Sequence, residues 1–405
     1  MPTVVCLGTL DTKGHEYAFL RERLLGHGLE VLVVDAGVHE PDGLEPDVDR
    51  AEVARAAGAD ASALAAAGDR GAAVTAMGAG AEVVVRRLHE EGRLDGLVAL
   101  GGSGGSSIAA RAMQALPVGV PKLLVSTVAS GDTRPYVGAV DVTMMYSVVD
   151  ISGVNSVSAQ IIANAAAAIA GMAGAAPPQL EGKPLVAATM FGVTTPCVTR
   201  ARERLEQLGY EVLVFHATGS GGRSMEALAK DGFLAGVLDA TTTELADELV
   251  GGVLSAGPDR LEAAGAAGVP QVVSLGALDM VNFGPRETVP ERFEQRNLYV
   301  HNPTVTLMRT TSGECAELGR MIGRKLAAAQ SPTAVFVPLG GVSMIDLPGQ
   351  PFHDPDADAA LFASLKEALG DEVELHERPE DVNDPAFADA MVDRLHELIQ
   401  AGAGK

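Results

Sequence analysis

The stretch LVALGGSGGSSIA, Leu97 to Ala109, joins an apolar run to an alanine-rich run through four glycines and three serines. The apolar run is typical of a buried strand, and the alanine-rich run is typical of a helix. Glycines at such a corner let a ligand approach the main chain, and the helix that follows presents unpaired N–H groups to an anion. The pattern therefore predicts an anion site built mostly from backbone. The alternative is a tight turn whose glycines only allow close packing of the helix on the sheet.

The same alternation of apolar and helical segments runs through the whole chain. Continuous apolar strands separated by helices indicate parallel sheets that are covered on both faces. The sequence thus predicts an α/β protein with two Rossmann-like lobes, mainly parallel sheets and a ligand cleft between the lobes. The runs that carry this prediction include TVVCLG, EVLVVDAG, PKLLVSTVASG, PLVAATMFG, EVLVFHATG, QVVSLGALD and AVFVPLGG.

An internal repeat supports two lobes of similar construction. RERLLGHGLEVLVVDAG begins at Arg21, and RERLEQLGYEVLVFHATG begins at Arg202, so the offset is a constant 181 residues without a gap. The shared pattern is a helix end, a glycine and the next strand. We expect a first lobe over residues 1–178 and a second over 179–405, joined in the proline-containing stretch 173–184.

Composition excludes several classes of function. The chain has 405 residues and a formal net charge of −23, which disfavours nucleic acid and anionic membranes as partners. Three cysteines without a CxxC motif give neither a disulfide framework nor a zinc pattern. No signal peptide and no run of 18 apolar residues is recognisable, so we expect a soluble, cytoplasmic protein.

Loops that follow strands of the first lobe carry further candidates. No Walker motif occurs, and the glycine spacing after Leu100 fits the dinucleotide fingerprint poorly. Lys13 could pair with a phosphate or be an ordinary surface lysine. Asp11, Asp132 and Asp150 could each hold Mg²⁺ beside phosphates, although each also suits a helix cap or a turn.

Polar groups also follow strands of the second lobe. We expect Glu244, Asp279, Asn282 and Arg309 to meet at one sheet edge and to act as catalytic groups toward a small polar substrate. Cys197, near a helix start, could be a nucleophile, but a small buried residue is the favoured interpretation.

The chain closely resembles the Tm-1-like ATP-binding family, which includes the N-terminal inhibitory domain of the tomato mosaic virus resistance protein and many bacterial members. The resemblance covers essentially the whole chain and rests on long motifs: GTLDTKGHEYAFL, LGGSGGSS, PKLLVSTVASGDT, VVDISGVNSVS, MFGVTTPCVTRARERL, VFHATGSGGRSMEAL, VLDATTTELAD, SLGALDMVNFGP and LMRTTSGE.

The resemblance implies two Rossmann-like subdomains with ATP bound in the first. Carried onto this sequence, it implies nucleotide contacts from three loops. The residues are Gly8, Thr9, Asp11, Thr12 and Lys13, then Gly101, Gly102, Ser103, Gly104, Gly105 and Ser106, then Thr127, Ala129, Ser130 and Gly131.

These observations together favour an ATP- and Mg²⁺-dependent enzyme that transfers a phosphoryl or adenylyl group to a small polar metabolite. Lys13 and Mg²⁺ would assist by positioning and charge stabilisation. The alternative is a non-catalytic module whose ATP-bound shape is recognised by a protein partner, as the plant member of the family suggests. A third hypothesis is an enzyme of NAD-dependent redox chemistry. We also expect a homo-oligomer.

Overall fold

The computed structural model describes residues 1–176 and 182–403. The chain forms two compact units, Met1–Gln179 and Leu180–Lys405. The lobe boundary expected between residues 178 and 179 lies outside the described residues.

The first unit is built on a parallel sheet. Its strands are β1 (Thr3–Gly8), β2 (Glu30–Asp35), β3 (Gly96–Gly101), β4 (Lys122–Ser126) and β5 (Thr143–Tyr146). They are ordered β2-β1-β3-β4-β5, and all neighbours are parallel. The helices are α1 (Leu10–Gly26), α2 (Arg50–Ala56), α3 (Ala61–Ala67), α4 (Arg70–Glu90), α5 (Ser103–Gln114), α6 (Arg134–Val137) and α7 (Ser156–Gly174).

Helices cover both faces of this sheet, which explains why its strands are apolar without interruption. Successive side chains of a strand point to opposite faces. Val4 of β1 packs in one core with residues of α1 and α7, whereas Val5 packs in another with residues of α4 and α5. By length and composition alone α7 could cross a membrane, yet Ile162 and Ile169 place it in the first of these cores.

The second unit has a larger parallel sheet. Its strands β6 (Leu185–Met190), β7 (Glu211–His216), β8 (Gly236–Thr241), β9 (Gln271–Gly276), β13 (Thr333–Pro338) and β14 (Glu374–Arg378) are ordered β14-β13-β9-β8-β6-β7. A separate antiparallel sheet contains β10 (Met280–Phe283), β11 (Leu298–Asn302) and β12 (Val305–Arg309). The helices are α8 (Thr195–Gln207), α9 (Ser220–Lys230), α10 (Glu244–Val250), α11 (Ala263–Ala266), α12 (Ser312–Ala327), α13 (Pro355–Ala368) and α14 (Pro385–Ala403).

The internal repeat corresponds to the same structural unit in both halves. Helix α1 and helix α8 each lead through a glycine with a left-handed backbone, Gly28 at φ +76° and Gly209 at φ +94°, into β2 and β7 respectively. Both strands then pair in parallel with the first strand of their own sheet. The α/β prediction with two Rossmann-like units is confirmed.

The antiparallel sheet departs from the expectation. The sequence pattern predicts that Asn282 and Arg309 follow strands of a parallel sheet, but Asn282 lies within β10 and Arg309 ends β12. The apolar runs around them are as short as those of parallel strands. A run of this length does not indicate whether its strand is parallel or antiparallel to its neighbours.

Candidate functional site

The glycine-rich corner after β3 leaves backbone donors available. Helix α5 begins at Ser103 directly after the strand, with Gly102 as its N-cap at φ −78° and no side chain in the capping position. The Ser106 N–H donates to the Gly102 carbonyl at 2.9 Å, which closes the first turn. The amides that precede it in this turn face outward from the helix end, where the helix dipole favours an acceptor with negative charge.

Three glycines of this corner are not explained by the protein's own packing. A Cβ atom built on Gly102, Gly104 or Gly105 would meet no atom closer than 3.4 Å. None of the three has the positive φ that would require glycine. Gly101 is different, because its Cβ would lie 2.9 Å from the Ser106 nitrogen. Side chains at the first three would make only ordinary contacts, so the protein leaves space beside their backbone, bounded over Gly104 by Arg70 and Val74.

That space belongs to a cavity of about 710 Å³ at the carboxyl ends of the first sheet's strands. Most of the residues that the resemblance implied are in its wall. They are Thr9, Asp11, Thr12, Lys13, Gly101, Gly102, Ser103, Gly104, Gly105 and Thr127. Three loops that are far apart in sequence thus meet around one cavity, because the carboxyl ends of parallel strands share one edge of the sheet.

The remaining implied residues do not line the cavity. A Cβ on Gly8 would lie 2.1 Å from the Tyr17 ring, so Gly8 makes room for that ring. The Ser106 hydroxyl is buried and bonded to the Ser126 hydroxyl at 2.6 Å. Gly8 and Ser106 therefore contact residues of the protein interior and do not face the cavity. Ala129, Ser130 and Gly131 follow β4 in and after a short 3-10 helix, also outside the cavity wall.

The charged groups predicted for this edge have different partners. Lys13 lines the cavity, and its Nζ donates to the Ile151 carbonyl. One Asp11 carboxylate oxygen accepts from the N–H groups of Val38 and His39, each at 3.1 Å. Asp11 therefore ties the loop after β2 to the first turn of α1.

The two other candidate Mg²⁺ ligands also differ. Asp132 is bonded to the Arg134 guanidinium, which lowers the pKa of the Asp132 carboxyl to about 2. Asp150 lines the cavity, and its carboxylate makes no hydrogen bond in the described part of the chain. Over residues 1–176 and 182–403, no group of three or more His, Cys, Asp or Glu is placed to hold a metal ion.

The other wall of the cavity is one that sequence analysis missed. It comes from α3, α4 and α5, with apolar contributions from Leu64, Val74, Met77 and Ile108 and one cation, Arg70. These residues lie in alanine-rich helices whose pattern indicates ordinary packing. No local signal distinguishes them, since only the fold brings the start of α4 to the glycine corner.

Glu244, a predicted catalytic residue, is fully buried within the second unit. One carboxylate oxygen accepts from the N–H groups of Gly219 and Gly222 at 2.6 and 3.1 Å. The other accepts from Arg260 Nε at 2.7 Å. Glu244 therefore occupies the anion position at the start of α9.

Arg260 connects Glu244 to two further carboxylates. It is 1% exposed, and its two Nη atoms bond to Asp239 at 2.5 and 2.7 Å. Glu226 accepts from the same guanidinium at 3.2 Å. Burial disfavours the charge of Arg260, but the carboxylates of Asp239, Glu244 and Glu226 outweigh it and raise its pKa well above the ordinary value. Arg260 follows no strand, so the sequence pattern gives no sign of its role.

Asp279 and Arg309 belong to a second buried network. Arg309 bonds to Asp358 at 2.7 Å, and Asp279 accepts from the Ser343 hydroxyl at 2.7 Å. Burial raises the pKa of Asp279 to about 6, against the opposing effect of Arg309. Burial and the neighbouring carboxylates of Asp279 and Asp358 raise the pKa of Asp346 to about 8.

Asn282 has a different partner from Asp279 and Arg309. Its backbone and side-chain nitrogens donate to Asp247 at 2.7 and 3.1 Å. The four predicted catalytic residues are thus held in three separate hydrogen-bonded groups, and none is more than 4% exposed. Cys197 is also fully buried, and burial raises the pKa of its thiol to about 12, so the interpretation as a small buried residue is confirmed.

Comparison with known proteins identifies the family. The N-terminal domain model of the uncharacterised protein family UPF0261 matches residues 2–178, and its C-terminal domain model matches residues 183–399. A UPF0261 protein of Clostridium tetani is 55% identical over 399 residues, which are 98% of this chain and 99% of that protein. The ToMV resistance protein Tm-1(GCR237) of Solanum lycopersicum is 42% identical over 98% of this chain and 56% of its own length.

Solved structures add nothing on function. A UDP-GlcNAc 2-epimerase of Methanocaldococcus jannaschii, in complex with UDP-GlcNAc and UDP, is 10% identical. The match covers 67% of this chain and 83% of the epimerase, with a TM-score of 0.23. The family models and the sequence relatives establish that the chain belongs to the UPF0261 family and is a homologue of the tomato Tm-1 proteins.

Proposed function

We propose that the first unit binds ATP in the cavity beside Gly102, Gly104 and Gly105. The observation that carries this proposal is that these three glycines border a cavity and that no contact within the protein requires them to lack a side chain. Neither packing nor backbone conformation requires glycine at these positions, and at Gly104 and Gly105, within the first turn, alanine would favour the helix. A ligand that approaches the bare backbone gives glycine a reason to be there.

The lining of the cavity suits a nucleotide better than a simple anion. One side offers the first-turn amides of α5, the Thr127 hydroxyl and Lys13, which are donors for phosphates. The other side offers Val74, Met77 and Ile108, which give an apolar surface for a base. The resemblance to the Tm-1-like ATP-binding family favours adenine as that base.

Mg²⁺ is part of the proposal, and Asp150 is the residue that suits it. Mg²⁺ needs only one or two carboxylates when phosphates supply other ligands. The Asp150 carboxylate makes no hydrogen bond in the described part of the chain, whereas the carboxylates of Asp11 and Asp132 already have protein partners. When bound, Mg²⁺ would offset the negative charge that Asp150 and the phosphates bring together.

We further propose an enzyme that transfers a phosphoryl or adenylyl group to a small polar metabolite. Donors that are fixed at a helix start hold phosphates without reorganisation, and Lys13 adds charge stabilisation. Glu244, Asp279, Asn282 and Arg309 remain the candidate catalytic residues. Their burial means that a conformational opening of the second unit would have to precede any contact with substrate.

A specific observation favours a second candidate function, an ATP-gated protein-binding module without turnover. Each of the four candidate catalytic side chains already has hydrogen-bond partners inside the second unit. Groups held in this way stabilise a fold without any substrate. In this module ATP would stabilise the shape that a protein partner recognises.

Titration calorimetry with ATP and Mg²⁺ tests the binding proposal, and the expected result is saturable heat that Gly105→Ala weakens. Absence of heat with the folded wild-type protein would contradict it.

Incubation with ATP, Mg²⁺ and a metabolite pool then separates the two functions. Asp279→Asn should leave ATP affinity unchanged in both, and it abolishes ATP consumption only in the enzyme. An NAD titration tests the redox alternative in the same format.

A further inference from the structure

Arg70 is an arginine of the cavity wall without a partner among the residues that the structure describes. Its side chain makes no hydrogen bond or ion pair with any residue that the structure describes. The guanidinium lies over the glycine corner, since a Cβ built on Gly104 would be 3.4 Å from one Nη atom and 3.9 Å from Nε. Arg70 thus points its donors at the same space as the first turn of α5.

The position of Arg70 in its helix is electrostatically unfavourable. It is the first residue of α4, after the capping residue Asp69. The positive end of the helix dipole disfavours a cation there by about 0.3–1 kcal/mol. Other arginines of the first unit, such as Arg50, Arg87 and Arg111, have carboxylate partners. Arg70 is exposed, and neither a carboxylate partner nor the helix dipole accounts for its position, so its donors are available to an anionic ligand in the cavity.

Two cations line the cavity from different elements, Lys13 from α1 and Arg70 from α4. Together with the α5 amides they provide hydrogen-bond donors from three elements, in a wall that also carries the carboxylates of Asp11, Asp69 and Asp150. Guanidinium groups bind phosphates through paired N–H donors, which makes arginine suited to phosphate recognition. This arrangement matches a chain of two or more phosphates.

We propose that Arg70 binds the phosphate chain and makes the site selective for nucleotides with at least two phosphates. The proposal rests on the proposed function, because it assigns a residue and a ligand class to the same cavity. Arg70 is a binding residue that the family resemblance did not supply.

The test is calorimetry of ATP, ADP and AMP, each with Mg²⁺, on the wild-type protein, Arg70→Gln and Arg55→Gln. Arg55 is the matched control, an exposed arginine that lies near the end of α2 and outside the cavity wall. Removal of charged hydrogen bonds to phosphate should weaken ATP and ADP binding about tenfold to a hundredfold in Arg70→Gln. AMP binding should weaken less, and Arg55→Gln should match the wild type. Circular dichroism confirms that each variant is folded.

The possible outcomes separate the two proposals. If the wild type binds ATP and Arg70→Gln binds it equally well, the role of Arg70 is wrong and ATP binding stands. If Arg70→Gln weakens AMP as much as ATP, selectivity for a phosphate chain is wrong. If the folded wild type binds none of the three nucleotides, both proposals fail. Partial recovery of ATP affinity in Arg70→Lys would support a charge contact whose strength depends on the guanidinium.

Discussion

The segments 102–107 and 219–224 are almost the same sequence, GSGGSS and GSGGRS, and each begins a helix. They lie in different units and have opposite surroundings. The first opens on a cavity of about 710 Å³. The second is closed by the buried Glu244 carboxylate, which accepts from two of its amides. One motif thus borders a cavity, and the other binds a carboxylate of the protein itself.

The glycines of the two segments show the same difference. In the first, no Cβ on Gly102, Gly104 or Gly105 would come closer than 3.4 Å to another atom. In the second, a Cβ on Gly221 would be 1.8 Å from the His216 carbonyl oxygen, and one on Gly222 would be 2.1 Å from Glu244. Glycine serves packing in the second segment and leaves space in the first. A glycine motif alone therefore does not distinguish a binding site from a tightly packed helix start.

The tight packing of segment 219–224 should have its largest effect on the stability of the protein. Gly221→Ala should destabilise the protein by about 3 kcal/mol or more, because its Cβ collides with backbone that cannot move aside. Urea denaturation measures the change. Gly192→Ala is the control, since its Cβ would have no neighbour within 4 Å. Equal stability of the two variants would show that segment 219–224 is not as tightly packed as described.

Glu244→Gln tests whether the internal carboxylate stabilises the second segment. The amide nitrogen of Gln would face donors of Arg260 or of the backbone, and Arg260 would lose a charge partner. We expect a loss of about 2–3 kcal/mol in the free energy of unfolding. Glu248→Gln, an exposed change in the same helix, should change it far less. A stability equal to that of the wild type would contradict a role for the Glu244 charge.

The buried carboxylates make the stability of the second unit dependent on pH. Burial raises the pKa of Asp247 to about 7, whereas the unfolded chain releases this proton near its ordinary value of 3.8. Between these values the folded state binds more protons, so the free energy of unfolding falls as pH rises. The decrease from this group should be on the order of 2 kcal/mol between pH 5 and pH 8. Denaturation at both pH values should give a smaller decrease in Asp247→Asn, and an unchanged decrease would exclude Asp247 as a source.

The smallest effect on stability is expected in segment 102–107. There a substitution should change ligand binding much more than it changes stability. Gly105→Ala should change stability by less than about 1 kcal/mol, in the stabilising direction, because alanine favours the helix. It should nevertheless weaken ATP binding, since the new methyl group takes space that the ligand needs. Calorimetry and denaturation of the same samples check both statements. Ser107→Ala, outside the cavity wall, should alter neither, and unchanged ATP affinity in Gly105→Ala would argue against the site.

Much of the fold was predictable because its signals are local. The uninterrupted apolar run in β3 follows from burial on both faces, and it is visible without coordinates. The left-handed glycines Gly28 and Gly209 mark where helices end. The antiparallel sheet was missed, since β10 and β12 are short and their direction depends on the partners that they find.

The sequence by itself determined the α/β class, the repeated unit and the places where backbone is bare, because these depend on residues close together in the chain. Only the tertiary structure decided which bare backbone stays open. It brought Arg70 and the apolar wall of α4 to one glycine corner and Glu244 with Arg260 to the other. The physical reason is that an amide at a helix start binds any suitable acceptor within reach, and reach is set by contacts between residues far apart in sequence.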